Sequence, residues 1–220
     1  MEIKNLKASI YDILGYFLPG LLFMFALILL SLNYNVEYLF EEIKRLSTTE
    51  IMLAIIIAYI IGHLIQSISN ILENIFLKLP LLKYISGAPS YQYFSESNKF
   101  YSDEFKKLII NAAKEIFKSE NLKEKELFNL CYSLILQKGE TRRIELFVSL
   151  YGFYRGLSYS LLISSILFFI YHNFILAIAF VIFAILFLQR YKRFKSYFED
   201  YVYRDFYIYY VTNYKNSKNL

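Results

Sequence analysis

Long uncharged stretches alternate with charged segments along the chain, and these stretches set the predicted elements. Residues 13–32 carry no charged side chain, and residues 51–72 carry none either. A helix that crosses a membrane needs about 20 predominantly apolar residues, so each stretch predicts one transmembrane helix. The first is expected to remain as an anchor because Asp12 precedes it and no small-residue cleavage pattern follows it.

A third uncharged stretch, residues 156–189, is too long for one crossing. As a single helix it would extend about 50 Å, whereas the hydrocarbon core of a bilayer is about 30 Å thick. His172 and Asn173 are the strongly polar residues near its middle, so we expect the chain to turn there. The helix before the turn then begins near Leu150, with the long side chain of Arg155 reaching towards the membrane interface.

Basic residues orient these spans, because Lys and Arg close to span ends remain on the cytoplasmic side. Both ends of the second predicted hairpin are basic, whereas residues 33–50 carry four Glu against Lys44 and Arg45. We therefore expect residues 33–50 outside and both termini inside, in the cytoplasmic membrane of a prokaryote. The basic residues that flank the hairpin are Arg142, Arg143, Arg155, Arg190, Lys192, Arg193 and Lys195.

The pattern predicts an all-α polytopic membrane protein with four transmembrane helices, a small cytoplasmic helical insertion and an interfacial C-terminal helix. In the insertion, Ser102 is a good N-cap for one amphipathic helix, and Gly139 ends a second. The first predicted part is a transmembrane hairpin at 1–79, with spans at about 13–33 and 51–72. A cytoplasmic helical region at 80–143 follows it. The last two parts are a second hairpin at 144–190, which turns near 172–173, and a basic aromatic tail at 191–220.

The tail interleaves aromatic and basic residues and allows two interpretations. From Gln189 to Leu220 it carries seven basic and three acidic side chains, a net charge of +4. Such a mixture can stack on and neutralise single-stranded RNA, and it also suits a helix that rests Tyr and Phe at lipid headgroups. No RNA-binding motif is present, so we favour contact with membrane lipids and do not expect nucleic acid as a partner.

Composition supports the membrane class and removes several kinds of chemistry. The 220 residues are 57% hydrophobic and 20% aromatic, which is too apolar for an ordinary soluble domain of this size. One Cys and two widely separated His exclude an internal disulfide and offer no metal-ligand spacing. No nucleophile, phosphate-binding or zinc-protease motif occurs. We therefore expect a protein that is not an enzyme and that has no catalytic residues, cofactor or metal.

The second span carries a polar face along its cytoplasmic half. At about 100° per residue, the polar side chains from Tyr59 to Asn74 fall on one side, and mainly Ile and Leu fill the other. In lipid such side chains need partners, either neighbouring helices that they join by hydrogen bonds or water in a path shared by several copies. Both interpretations stay open at this point, and both turn the face away from lipid. The candidate residues are His63, Gln66, Asn70 and Glu73.

Arg155 is a further candidate, because a charged side chain inside a span is costly. It can extend to lipid phosphates, or it can pair with Asp12 at the cytoplasmic mouth of the first span. We keep the Asp12–Arg155 ion pair as a hypothesis. Pro19 and Gly20 are expected to kink the first span without breaking it.

The segments YDILGYFLPGLL, YIIGHLIQ and SLYGFYRGLSYSLL, together with the four-span layout, carry a resemblance. In chain length and span arrangement the protein resembles small prokaryotic membrane proteins encoded beside anti-phage systems, in particular the four-span accessory proteins of type VI-B CRISPR-Cas loci. Those proteins accompany an RNA-guided ribonuclease. The resemblance implies a role in defence, as a regulator of such a nuclease or as an effector that perturbs the membrane.

These observations support three functional hypotheses, in order of preference. The first is a homo-oligomer that alters membrane permeability along His63, Gln66 and Asn70 when a cytoplasmic protein partner, such as a defence nuclease, rearranges the helical region. The second is a non-conducting adaptor that docks a soluble partner. The third is a small-solute transporter, ranked last because the two predicted hairpins show no internal repeat.

Overall fold

The structure is a computed structural model that describes residues 13–76, 102–119, 122–138 and 142–215. Within these ranges the chain forms α-helices and two π-helical segments, and it contains no β-strand. The π-helical segments are Ile13–Phe17, directly before α1, and Tyr210–Lys215, directly after α7. The α-helices of the described residues are α1 (Leu18–Ser31), α2 (Val36–Arg45), α3 (Thr48–Phe76), α4 (Asp103–Phe117), α5 (Glu124–Lys138), α6 (Arg142–Ile170) and α7 (Phe174–Tyr209).

Four helical segments are long and apolar enough to cross a membrane. This confirms the all-helical prediction for the described residues and its four candidate spans, which are consistent with a multi-pass membrane protein. The segments are Ile13–Ser31, Thr48–Glu73, Arg143–Ile170 and Phe174–Tyr214.

The last of these segments reaches far into the tail. Residues 191–209 continue α7 instead of forming a helix of their own. The reason is local, because no Gly or Pro interrupts the chain between Phe174 and Tyr209.

The segment between the first two spans contains a helix that the sequence analysis did not predict. Asn33 and Tyr34 adopt left-handed φ angles of 48° and 65°, which end the first span. Asn35 then caps α2, because its Oδ1 accepts a hydrogen bond from the backbone N–H of Tyr38 at 3.0 Å. Lys44 and Arg45 lie in the last turn of α2, where positive charge favours a helix.

A tight turn separates α6 from α7 and divides the long uncharged stretch. His172 has a left-handed φ of 59°, and the Oδ1 of Asn173 accepts a hydrogen bond from the backbone N–H of Leu176 at 3.1 Å. Asn173 thus caps the first turn of α7.

The chain divides into two compact units, and α6 and α7 contribute residues to both. Unit 1 comprises Met1–Gly87 and Ser149–Arg193, and unit 2 comprises Ala88–Val148 and Phe194–Leu220. In unit 1 one buried cluster contains Ile65, Tyr159, Leu188 and Tyr191, and a second contains Ala26, Phe168 and Ala177.

The first two spans approach closely within unit 1, and two glycines make this possible. A Cβ atom added to Gly20 would collide with the backbone carbonyl of Ala58, and one added to Gly62 would collide with the carbonyl of Tyr16. Ala58 and Gly62 lie one helical turn apart, so they form a small-residue surface of the kind that lets membrane helices pack backbone to backbone.

Unit 2 has a core built from apolar and aromatic side chains. Ser102 caps α4 by accepting a hydrogen bond from the backbone N–H of Phe105 at 3.3 Å. The ring of Phe128 lies edge to face against Phe198 and Tyr203, with centroids 5.5 and 5.7 Å away. Burial raises the pKa of the Cys131 thiol, so this cysteine remains a neutral core residue.

Candidate functional site

Gln66 lies at the centre of a buried polar network in unit 1. Its side chain is 6% exposed, and its Nε2 donates to two backbone carbonyls. The first is that of Gly15 at 2.9 Å, and the second is that of Gly152 at 3.0 Å. One carboxamide therefore joins α3 to the π-helical segment of the first span and to α6.

The carbonyl of Gly15 is available because of Pro19. In a regular α-helix the N–H group four residues later would bond to this carbonyl, but Pro19 has no backbone N–H. Gln66 supplies a donor in its place. Gly156 keeps the space open, because a Cβ there would lie 2.6 Å from Pro19 Cγ and 3.0 Å from Gln66 Nε2.

Arg155 completes the bonding of the Gln66 side chain. Its Nη2 and Nε donate to Gln66 Oε1 at 2.8 and 3.1 Å. Its Nη1 also lies 3.8 Å from Glu73 Oε2, and the side chains of Arg155 and Glu73 are only 19% and 13% exposed. The other carboxylate oxygen of Glu73 accepts a hydrogen bond from the Tyr191 hydroxyl at 2.7 Å.

These contacts join all four membrane-length segments. We call Gln66, Arg155, Glu73 and Tyr191, with the carbonyls of Gly15 and Gly152, the Gln66 network. An isolated charge at this burial would be costly, and the pairing of Arg155 with Glu73 compensates for that cost. Within the described residues no group of His, Cys, Asp and Glu has an arrangement that could hold a metal ion.

The position of the Gln66 network along its helices follows from the residue spacing. Gln66 is 18 residues beyond Thr48, about 27 Å along the axis of α3. Arg155 is 15 residues before the end of α6 at Ile170, about 23 Å along that axis. Both distances approach the hydrocarbon thickness of about 30 Å, and Glu73, 25 residues beyond Thr48, lies about 38 Å along α3. The network therefore lies towards the ends of these spans that are remote from Thr48 and Ile170.

The four candidates on the second span divide into two pairs. Gln66 and Glu73 belong to the network, whereas His63 and Asn70 are exposed. The two members of each pair are seven residues apart, so they lie almost in line along α3. At 100° per residue, Gln66 is about 60° around the helix from His63 and about 40° from Asn70. The predicted polar face therefore straddles the edge between the packed and the exposed sides of this helix.

The ring of His63 packs against two tyrosines. It stacks on Tyr16 with centroids 3.9 Å apart and an interplanar angle of 14°. It also meets the edge of Tyr59 at a centroid distance of 4.6 Å.

Asp12 lies outside the described residues, so the Asp12–Arg155 pair stays a prediction. The described partners of Arg155 are Gln66 and Glu73. Sequence analysis missed Tyr191 and the two glycine carbonyls as parts of the site. The carbonyl of Gly15 could have been identified from the sequence, because Pro19 lies four residues later and cannot donate the usual helical hydrogen bond to it.

No protein-family model, curated protein or solved structure matches this chain.

Proposed function

We propose that this protein is a self-associating membrane protein whose output is a change in membrane permeability. The observation that supports the proposal is the Gln66 network, which places an ion pair and a carboxamide among four membrane-length segments. Charged residues within membrane spans are rare because of their cost, and they commonly mark ion paths or switches. Close packing of small residues, as at Gly20 and Gly62, would join the helices without such groups.

In this proposal the described conformation is the closed state. Gln66 uses its donor group on two carbonyls and its acceptor on Arg155, so the polar atoms of this side chain are bonded to protein groups and not to water. Opening separates Arg155 from Gln66 and Glu73. Each released group then requires water, and a hydrated path forms along the polar side of α3.

The trigger is a cytoplasmic protein partner that binds unit 2. Arg155 and Tyr191 lie on α6 and α7, and both helices also contribute residues to unit 2. A partner that shifts these residues of unit 2 therefore acts on the two helices that carry half of the network.

The proposed setting is prokaryotic defence against phage, in the cytoplasmic membrane. Both termini and the helical region at 80–143 face the cytoplasm in this proposal, and the basic aromatic residues after Gln189 contact lipid headgroups. The setting rests on the resemblance of the span layout, and a defence nuclease is the kind of partner that it implies.

Ion flux from liposomes that contain the purified protein tests the permeability proposal. Gln66→Leu removes the hydrogen bonds to Gly15, Gly152 and Arg155, so we expect faster flux of potassium and chloride than with the wild-type protein. Gln189→Leu is the matched control, since the Gln189 side chain is exposed. A Gln66→Leu protein that inserts, remains monodisperse and shows wild-type flux would contradict the proposal.

A non-conducting adaptor is the second candidate, because unit 2 displays apolar side chains on two helices. Leu108 on α4 and Leu130 and Leu136 on α5 are 45%, 36% and 42% exposed. Exposed leucines of this kind suit a protein partner. If the adaptor function is correct, Leu108→Lys abolishes capture of the partner, whereas the Gln66 variant changes no flux.

A further inference from the structure

The exposed side of α3 carries a line of polar side chains. His63, Ser67 and Asn70 are all exposed, and their spacing of four and three residues places them on one side of the helix. Apolar side chains flank the line, with Ile60 55% and Leu64 58% exposed. We call His63, Ser67 and Asn70 the outer polar line.

The outer polar line lacks sufficient partners within one copy of the described chain. The side chains of His63 and Asn70 make no hydrogen bond to any described residue, and Ser67 Oγ donates only to the carbonyl of His63, at 3.0 Å. His63 is 15 residues beyond Thr48, about 23 Å along a helix that must cross about 30 Å of hydrocarbon. A polar ring at this depth requires a partner.

We propose that the outer polar line is the contact surface for a second copy of this chain, with α3 lying parallel to the α3 of its neighbour. The partner of this line must offer neutral donors and acceptors at the same depth. An identical line does so, because His, Ser and Asn side chains each donate and accept. Two copies inserted in the same orientation also bring each residue to the depth of its counterpart without further adjustment.

The local geometry suits a close pair of helices. Ser67 is small and lies between the two larger polar residues, which allows the backbones to approach. Tyr16 and Tyr59 hold the His63 ring by stacking and edge contact, so little conformational freedom is lost when the ring gains a partner. The opposite side of α3 is already occupied, since Ala58 and Gly62 pack against the first span.

Cysteine cross-linking in native membranes tests this surface. In a Cys131→Ala background, Ser67→Cys should form a covalent dimer rapidly on oxidation. Ile68→Cys is the matched control, because Ile68 is 42% exposed and lies next to Ser67 in depth but about 100° around the helix. Adding His63→Leu and Asn70→Leu should reduce the Ser67→Cys dimer to the level of the control.

Three outcomes would overturn the inference. Equal cross-linking at both positions would indicate random collision, and cross-linking at position 68 alone would place the contact on another side of α3. Absence of cross-linking at both positions would leave lipid headgroups or a different protein as the occupant.

The inference rests on the self-association included in the proposed function, but the two fail separately. A dimer through Ser67→Cys combined with wild-type ion flux in Gln66→Leu would keep the contact surface and reject the permeability function. Raised ion flux in Gln66→Leu without the Ser67→Cys dimer would keep the permeability function and reject the contact surface.

Discussion

Unit 1 and unit 2 both bury aromatic rings and polar groups, and they differ most in how far their large apolar side chains are exposed. Unit 1 buries polar groups such as Gln66, Ser69 and Ser160 while it exposes large apolar residues, and Ile175 is 83% exposed. Unit 2 buries Phe128 and Phe206 at 7% and 0% exposure but also Lys106 and Glu199 at 7% and 8%, and the most exposed of its described large apolar residues, Leu146, reaches 53%.

A difference of this kind is typical of a chain that meets both hydrocarbon and water. In hydrocarbon an exposed isoleucine costs nothing, and hydrogen bonds and close packing of small residues determine which helices pair. In water these contacts contribute less to stability, because the removal of apolar surface from water dominates the free energy of folding. Pairs of substitutions, each with a chemically matched control, test this difference.

Truncation of a buried ring in unit 2 should have the largest effect. Phe128→Ala leaves a cavity between Phe198 and Tyr203, so we expect the free energy of unfolding to fall by about 3–4 kcal/mol. Phe169→Ala is the control in unit 1, where the ring is 63% exposed, and we expect less than about 0.5 kcal/mol there. Denaturant titration in detergent measures both, and equal losses would remove the contrast.

Removal of the central polar side chain of unit 1 should have the second largest effect on stability. Gln66→Leu leaves two carbonyls without this donor and deprives Arg155 of its closest acceptor. We expect a loss of about 2–3 kcal/mol, read from thermal unfolding followed by size-exclusion chromatography. The exposed Gln189→Leu should change stability by less than about 0.5 kcal/mol. A Gln66→Leu protein as stable as the control would show that the network does not hold unit 1 together.

The addition of a methyl group between the first two spans should lower the free energy of unfolding by less than the loss of Gln66. Gly62→Ala places a Cβ against the carbonyl of Tyr16, and the spans must separate to admit it, at a cost of about 1–2 kcal/mol. Ile71→Ala on the same helix is the control, because Ile71 is 61% exposed, and it should be close to neutral. The same thermal assay applies, and a neutral Gly62→Ala would argue against the close approach of these backbones.

Loss of one hydrogen bond between helices should have the smallest effect. Ser160 Oγ donates to the carbonyl of Pro19 at 2.9 Å, and Ser160→Ala should cost about 0.6 kcal/mol, typical of such bonds in membranes. Ser165→Ala is the control, because that hydroxyl donates within its own helix to Leu162. If the control costs as much as Ser160→Ala, the contact between helices adds nothing beyond a local bond.

The membrane spans could be predicted from the sequence because their signal is local. Length and apolar content define residues 13–32 and 51–72 without knowledge of any neighbour. Helix α2 also has local signals in the cap at Asn35 and in Glu37 of the first turn, but the charges of residues 33–50 are used in the sequence analysis only to orient the spans.

The partners within the site could not be predicted from periodicity. A helical projection places His63 and Gln66 about 60° apart, and only the neighbouring helices decide that one is exposed and the other buried. Tyr191 follows Glu73 by more than a hundred residues, and no sequence pattern connects them. The role of Gln66 required both the missing N–H of Pro19 and the space above Gly156.

In the proposed function, the Arg155–Glu73 pair, which Gln66 and Tyr191 hold, keeps the interior of unit 1 closed. Ion flux through liposomes tests it directly when three variants are compared: Arg155→Gln, Glu73→Gln and the double variant. Each single variant leaves one charge without its partner and should raise flux, because an unpaired buried charge draws in water. The double variant removes both charges and should return flux towards the wild-type value. Wild-type flux in all three variants, or the greatest flux in the double variant, would contradict this role of the Arg155–Glu73 pair.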